Sequence, residues 1–315
     1  MLLIGSDDGL YRLRQLERDG DTTATQVHET GRVRRIQTFD GIDGVFAATE
    51  TGLYRSLDGT HWEDLAVPVE NVYAVGARAE DRTLFAGTRP AHLFETTVDD
   101  DAGWHEVDPF RDRPSGEEWQ VSRHDDRAQV RDVHVAPGDS ERVVAGVEVG
   151  GVHVSDDGGA TWEAREGGDG DVHELCVLDP ETFVVATGFG LFSTDNAGRD
   201  WRRLDEEFPQ RYFRAVSAVG DTVYAAGALR NSSTWNDGSA DPELFVSEDL
   251  RELQPVSHPR PDETVTGMTA VDGTLVAATH RGTVMERDNG WQVVGTFPVP
   301  GEVTGRYTPV AHVEP

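Results

Sequence analysis

The chain contains no lysine; all 28 of its basic residues are arginine. That absence excludes Schiff-base chemistry and any lysine general base. A single cysteine, Cys176, rules out an intramolecular disulfide, and its place between Leu175 and Val177 in an apolar strand pattern predicts a buried, inert thiol. No stretch approaches the ~18 apolar residues of a membrane span. Positive charge is scarce as well: 58 acidic residues face 28 basic ones, a net charge of -30. Nucleic-acid backbones and anionic membranes repel such a surface and are excluded as partners. The first residues, Met1 to Ile4, run straight into Gly5, Ser6, Asp7 and Asp8 without a basic or long apolar leader. A cytoplasmic protein is the expectation.

What is present is turn chemistry and repetition. With 34 glycines and 15 prolines among 315 residues, the chain reads as many short strands, and one unit recurs seven times. It consists of an apolar strand ending in small residues, a short loop and a second strand: Leu2 to Leu13, Val45 to Arg55, Leu84 to Glu95, Val143 to Val154, Phe183 to Phe192, Val223 to Val246 and Leu275 to Met285. Six further strands precede units two to seven: Arg35 to Phe39, Val72 to Gly76, Val130 to Val135, Val172 to Leu178, Phe213 to Val219 and Val265 to Val271. The missing seventh lies at the far end, in Arg306 to Val313. The expected fold is therefore all-β, one domain over 1–315: a seven-bladed β-propeller of four-stranded blades whose C-terminal strand completes blade one and closes the ring. No convincing long helix is read.

After most units an acidic turn leads to a tryptophan. Ser155, Asp157, Gly159, Thr161 and Trp162 fit S-x-D-x-G-x-T-W; Ser56, Asp58 and Trp62 give a version one residue shorter, and Ser193, Asp195, Gly198 and Trp201 one a residue longer. This spacing resembles the Asp-box, or BNR, repeat of sialidases, sortilin-like receptors and photosystem assembly factors. The strings GTRPAHLF (87–94) and GVEVGGVHVSDDGGATW (146–162) are similar to prokaryotic BNR-repeat proteins of the glycosyl-hydrolase or sialidase-like type, among the WD40/YVTN-like propellers. The even acidity resembles the cytoplasmic proteomes of halophilic archaea. In the turns the carboxylate is expected to accept backbone amides and the tryptophan to pack between sheets, a structural role. The sialidase arginine triad and nucleophile do not transfer: no Arg-Ile-Pro segment is found, and sialidases have six blades.

Departures from the repeat mark where function is expected. The longest insertion, about Pro109 to Gln129, is a blade crossing; the next, about Ala228 to Glu243, is a loop between the second and third strands of a blade. Both belong to the face opposite the acidic turns. A polar pocket is expected at that mouth of the channel, with Arg89, His92, Trp119, Arg123, His124, Arg131, His173 and Arg211 as ligand-binding candidates and Glu148 and Tyr212 as catalytic candidates. Trp119 and Trp235 could equally pack the insertions onto the ring.

The expected function is a non-catalytic binding or scaffold propeller holding a small anionic or sugar-like ligand, or a protein, as a monomer. No nucleophile, zinc or phosphate-loop motif is present, so neither a metal nor a cofactor is expected. The alternatives are a glycosidase-like hydrolase using Glu148 and a protein-assembly factor.

Overall fold

A computed structural model describes residues 1–14, 22–98, 103–112, 119, 127–288 and 290–313. Its described residues form seven four-stranded antiparallel sheets, each with its strands in radial order, here a to d from axis to rim. Blade 2, for example, runs Val33–Phe39, Ile42–Thr49, Gly52–Ser56 and Glu63–Asp64. Blade 1 takes strand a from the C-terminus: Val310–His312 pairs antiparallel with Leu2–Gly5, setting Leu2 opposite His312 and Ile4 opposite Val310. The seam continues past the strand ends, since the Met1 amino group donates to the Val313 carbonyl at 2.8 Å and the Val313 amide to Met1 at 2.9 Å. Closure removes the open end that a stack of sheets would otherwise expose.

Strand b is apolar along most of its length because a neighbouring blade covers each of its faces. In Ile42–Thr49 the five residues from Val45 onward are buried, and Phe183–Thr187 is buried throughout. Glycine ends strand b where the next blade presses closest: a Cβ on Gly87 would meet Val130 Cγ1 at 2.6 Å, and one on Gly146 would meet Val172 Cγ1 at the same distance.

The turns from strand c to strand d are built by short side chains. Asp157 accepts the Thr161 amide at 2.7 Å and its hydroxyl at 2.6 Å, the Ser155 hydroxyl accepts the Gly159 amide at 2.8 Å, and the Trp162 indole donates to the Gly159 carbonyl at 3.0 Å. Gly159 sits at φ +105°, where a side chain would be strained. Blade 5 corrects the sequence reading. Its turn is not a longer variant on Ser193 and Asp195, because Thr194 accepts the Gly198 amide at 2.9 Å and Asn196 the Asp200 amide at 2.9 Å. The spacing is thus that of blade 4, with Thr194 and Asn196 in place of Ser155 and Asp157.

The described parts of the two insertions lie on the face opposite these turns. Of the first, a one-turn helix Asp108–Arg111 and Trp119 are described. Phe110 and Trp119 are buried against each other with ring centroids 5.5 Å apart, and Phe110 meets Trp162 edge-on at 4.9 Å. The second forms a 3-10 turn, Ser232–Asp237, with Asn231 at its N-cap. No helix among the described residues is long and apolar enough to cross a membrane.

Candidate functional site

Every inner strand of blades 2 to 7 breaks its register at its start, and those of blades 2 and 4 shift a second time near their ends. Val33 pairs with Thr49 but Arg35 with Ala48, leaving Arg34 unpaired in the ladder; Tyr73, Arg131, His173, Arg214 and Thr266 are skipped in the same way. A β-bulge re-aims the side chain of its extra residue, so a ring of six side chains is produced by six copies of one backbone irregularity. Blade 1 contributes Tyr307 and Thr308 just ahead of its inner strand, with the Thr308 hydroxyl 2.6 Å from that of Thr266.

These side chains converge across the channel. Arg34 lies over the Tyr73 ring at 4.6 Å and Arg131 over the other neighbour, Tyr307, at 5.1 Å as well as over Tyr73 at 5.5 Å; Arg214 covers Tyr307 at 4.0 Å. The result is an alternation Arg34, Tyr73, Arg131, Tyr307, Arg214 in which ring faces stabilise guanidinium faces. Arg131 is the one paired with a carboxylate: it meets Glu148, which is fully buried and also receives a hydrogen bond from Gln129. Arg214 donates to the Tyr212 hydroxyl at 3.1 Å and to the Arg306 carbonyl at 3.4 Å, with no carboxylate in contact. Arg34 is 8% exposed, has neither a hydrogen bond nor an ion pair among the described residues, and stacks on Tyr73 alone. Burial pushes its guanidinium down to about 10 and lowers that of Arg214 too.

The residues next to the bulges make a second layer. Arg35 reaches across the channel from blade 2 to Asp132 of blade 4, at 3.0 Å, and to Glu174 of blade 5. Each carboxylate also binds the following blade: Asp132 accepts the Leu175 amide and Glu174 the Val216 amide, at 2.9 and 2.8 Å. Burial would raise Asp132, but Arg35 beside it holds it below the usual carboxylate range; burial keeps Glu174 raised. In blade 7 the equivalent position is Gly267, where a Cβ would strike the Thr308 carbonyl oxygen at 1.8 Å.

Beside this layer runs a cavity of about 390 Å³, lined by the inner strands of blades 5, 6, 7, 1 and 2 and by His134 of blade 4, with Arg34, Arg214 and Tyr307 at one end. Those residues are buried, whereas Thr38 and Ala270, at the far ends of their strands, are exposed. The cavity therefore opens toward the a–b turns, on the same face as the acidic turns. This corrects the expected side of the pocket. The other end is covered by the segment before Tyr307: Arg32 donates to the Thr304 carbonyl at 3.0 Å, and the Gly305 amide to the Ser232 hydroxyl at 2.8 Å.

Of the sequence candidates, Arg131, Glu148, His173 and Tyr212 meet at the ring, and Arg89 reaches the Tyr73 ring at 5.8 Å. His173 is buried and donates through Nδ1 to the Phe213 carbonyl at 2.6 Å; burial, followed by Arg214 and Arg131, holds it neutral, well below the usual histidine value. Glu148, proposed as a catalytic acid, is the counter-ion of Arg131. His92 lies away from the axis, its Nδ1 2.5 Å from Glu106 on the outer strand of blade 3; Arg211 pairs with Asp205 at 2.8 Å on a crossing loop; Trp119 packs against His153 at 5.2 Å. Arg123 and His124 lie outside the described residues. Arg34, Tyr73, Arg214 and Tyr307 were missed, although their signal is printed in the sequence. Val33-Arg34-Arg35-Ile36, Val130-Arg131-Asp132-Val133 and Phe213-Arg214-Ala215-Val216 each place two residues between apolar anchors where an alternating strand has one. Among the described residues no group of three or more His, Cys, Asp or Glu is placed to hold a metal ion.

No protein-family model and no curated protein matches the chain. Similarity to solved structures is extensive. A GH74 xyloglucanase from Xanthomonas campestris superposes with a TM-score of 0.67 at 16% identity, over 98% of this chain and 52% of the enzyme. The WD40 propeller domain of Doa1 gives 0.61 at 13% identity, covering 93% of this chain and 88% of that one. YCF48 bound to D1 peptide gives 0.57 at 14%, over 83% and 81%. The chain spans about two-fifths to one-half of the GH74 enzymes it matches. At these identities the likeness establishes the seven-bladed propeller, an architecture found both in enzymes and in non-catalytic scaffolds.

Proposed function

We propose that the protein is a non-catalytic binding propeller whose axial cavity holds an anionic group at its closed end. The observation that carries this reading is Arg34: a guanidinium more than nine-tenths buried, with its face on Tyr73 and none of its N–H groups engaged among the described residues. Leaving a buried charge uncompensated costs several kcal/mol, about 3–5 where one partner of a buried pair is removed, so a ligand that neutralises it gains strongly on binding. Arg214, also without a carboxylate in contact among the described residues, faces the same cavity. Two guanidinium edges held by tyrosine stacking suit a carboxylate or a similar oxyanion.

Hydrolysis finds less support. It calls for two carboxyl groups on one cavity, yet Glu148 is consumed by Arg131, and Asp132 and Glu174 by Arg35 and the amides of the next blades. A structural neighbour with a peptide bound to it, YCF48, is compatible with a binding role for this architecture. The even acidity of the chain supports a halophilic origin and a cytoplasmic setting on the same footing, as proposals.

The test is a titration of the full chain with acetate, succinate and phosphate, followed by calorimetry and thermal shift, in parallel with Arg34→Met and Arg214→Met. Saturable stabilisation of the wild type by at least one anion, lost in both variants, is expected. Equal responses in all three proteins would place the anion elsewhere and overturn the reading.

A further inference from the structure

The channel is electrically graded. At its closed end stand Arg34 and Arg214, without carboxylate partners among the described residues. Beyond its open end, outside the lining itself, the a–b turns of four of the blades that line it each carry an exposed aspartate: Asp40 in blade 2, Asp179 in blade 5, Asp221 in blade 6 and Asp272 in blade 7. Asp179 uses one oxygen to shape its own turn, accepting the Glu181 and Thr182 amides. Asp40, Asp221 and Asp272 have no side-chain hydrogen bond or ion pair among the described residues, so their charge is unspent. The walls between the two ends are strand edges. Each inner strand pairs only with strand b of its own blade, so its second edge faces the axis; on it the Leu175 and Val216 amides are taken by Asp132 and Glu174, which leaves the other edge groups for a ligand.

From this arrangement we infer that the cavity receives the carboxyl terminus of a partner polypeptide, inserted carboxylate first in extended form, with a basic side chain left at the aspartate rim. The inference rests on the anion-binding reading above and narrows it by length and polarity. From Arg34 to Asp40 the inner strand advances six residues, about 20 Å at ~3.3 Å per residue. A ligand that meets both ends must span that distance, which an extended peptide does in about six residues. Small carboxylates and phosphate satisfy the closed end alone. A purely anionic ligand would also have to pass the acidic rim of a chain whose net charge is -30, whereas a basic residue several positions before the terminus is attracted there first. Backbone edges on the walls supply partners to a peptide main chain and are indifferent to its side chains, the pattern of strand addition.

The probes are two pools of hexapeptides with lysine fixed at the first position and the inner positions randomised, one pool ending in a free carboxylate and the other in an amide. A third pool carries glutamate in place of the lysine. Retention on the immobilised full chain is read by mass spectrometry, and acetate is titrated alongside. Retention of the free-acid lysine pool at least tenfold above both other pools is expected, with loss of that retention in Arg34→Met and Arg214→Met. Asp221→Asn with Asp272→Asn should reduce retention of the lysine pool several-fold while leaving the acetate response unchanged. Thermal melts of each variant confirm that it is folded. Equal retention of acid and amide pools overturns the inference, as does equal retention of lysine and glutamate pools. Acetate binding that depends on Arg34, without peptide retention, overturns the inference and leaves the anion site standing; absence of both overturns the two together.

Discussion

Replacing Arg34 with methionine should make the ligand-free protein more stable. The guanidinium is charged in the folded and the unfolded chain at neutral pH, and burial drives it below the usual arginine value to about 10 in the fold. By linkage that difference corresponds to about 3 kcal/mol of penalty on the charged form. The penalty is complete at every pH below the folded value and fades only as pH climbs above about 10 toward the ordinary arginine value, so a neutral buffer measures all of it. Against it stands the stacking of Arg34 on Tyr73, worth about 1–2 kcal/mol for a desolvated pair. Methionine fills the same volume without charge, and the net gain should be about 1–2 kcal/mol. For 315 residues the unfolding entropy is about 0.7 kcal/mol/K, so the melting temperature should rise by about 2–3 °C. Differential scanning calorimetry and urea titration at pH 7 read this, with and without the anion that protects the wild type. Added anion should reverse the order, stabilising the wild type and leaving the variant unmoved. A variant less stable than the wild type by more than about 1 kcal/mol would refute the reasoning, because the guanidinium would then have a structural partner.

Other consequences follow from the same geometry. Arg131→Leu strands the fully buried Glu148 and should cost about 3–5 kcal/mol; adding Glu148→Gln should recover much of that loss in a double-mutant cycle. His173 has its folded value depressed by burial, so the unfolded chain takes up a proton that the fold refuses, and stability falls as pH drops below about 6.5. Urea melts between pH 7.5 and 5.5 should show that slope reduced in His173→Gln, by at most about 1.4 kcal/mol per pH unit. In blade 5, Asn196→Ala should destabilise by about 0.5–1.5 kcal/mol through the lost acceptor of the Asp200 amide, while Asp195→Ala, exposed on the turn, should stay within about 0.5 kcal/mol; equal losses would restore the original reading of that turn.

The architecture was legible because its signals are local and repeated. Seven similar strand pairs and a terminal strand without a unit of its own are enough to predict the ring, and the pairing of Leu2–Gly5 with Val310–His312 follows from counting. The turn of blade 5 was misphased for an equally local reason: Ser193 and Asp195 fit the expected letters, and only the hydrogen bonds reveal that Thr194 and Asn196 do the work. The site was legible in part. Arg131 and His173 were found because they are polar residues at strand starts, but Arg34 and Arg214 sit at the same positions and were passed over. Strict alternation assigns a side chain to one of two faces, and a bulge adds a third direction, toward the axis, that period-two reasoning cannot see. His92 and Arg211 were misplaced by the converse error, since belonging to the right loops says nothing of the carboxylates, Glu106 and Asp205, that hold them away from the channel. The opening of the cavity toward the aspartate turns required knowing that the segment before Tyr307 folds over the other end.

The most direct measurement is a crystal structure of the full chain grown without other anions and soaked in bromide, with data collected at the bromine absorption edge. An anomalous peak at the closed end of the cavity, in contact with the guanidinium groups of Arg34 and Arg214 and absent in Arg34→Met, is the predicted result. A carboxylate of the chain itself bound to Arg34, with no bromide there, would contradict the account.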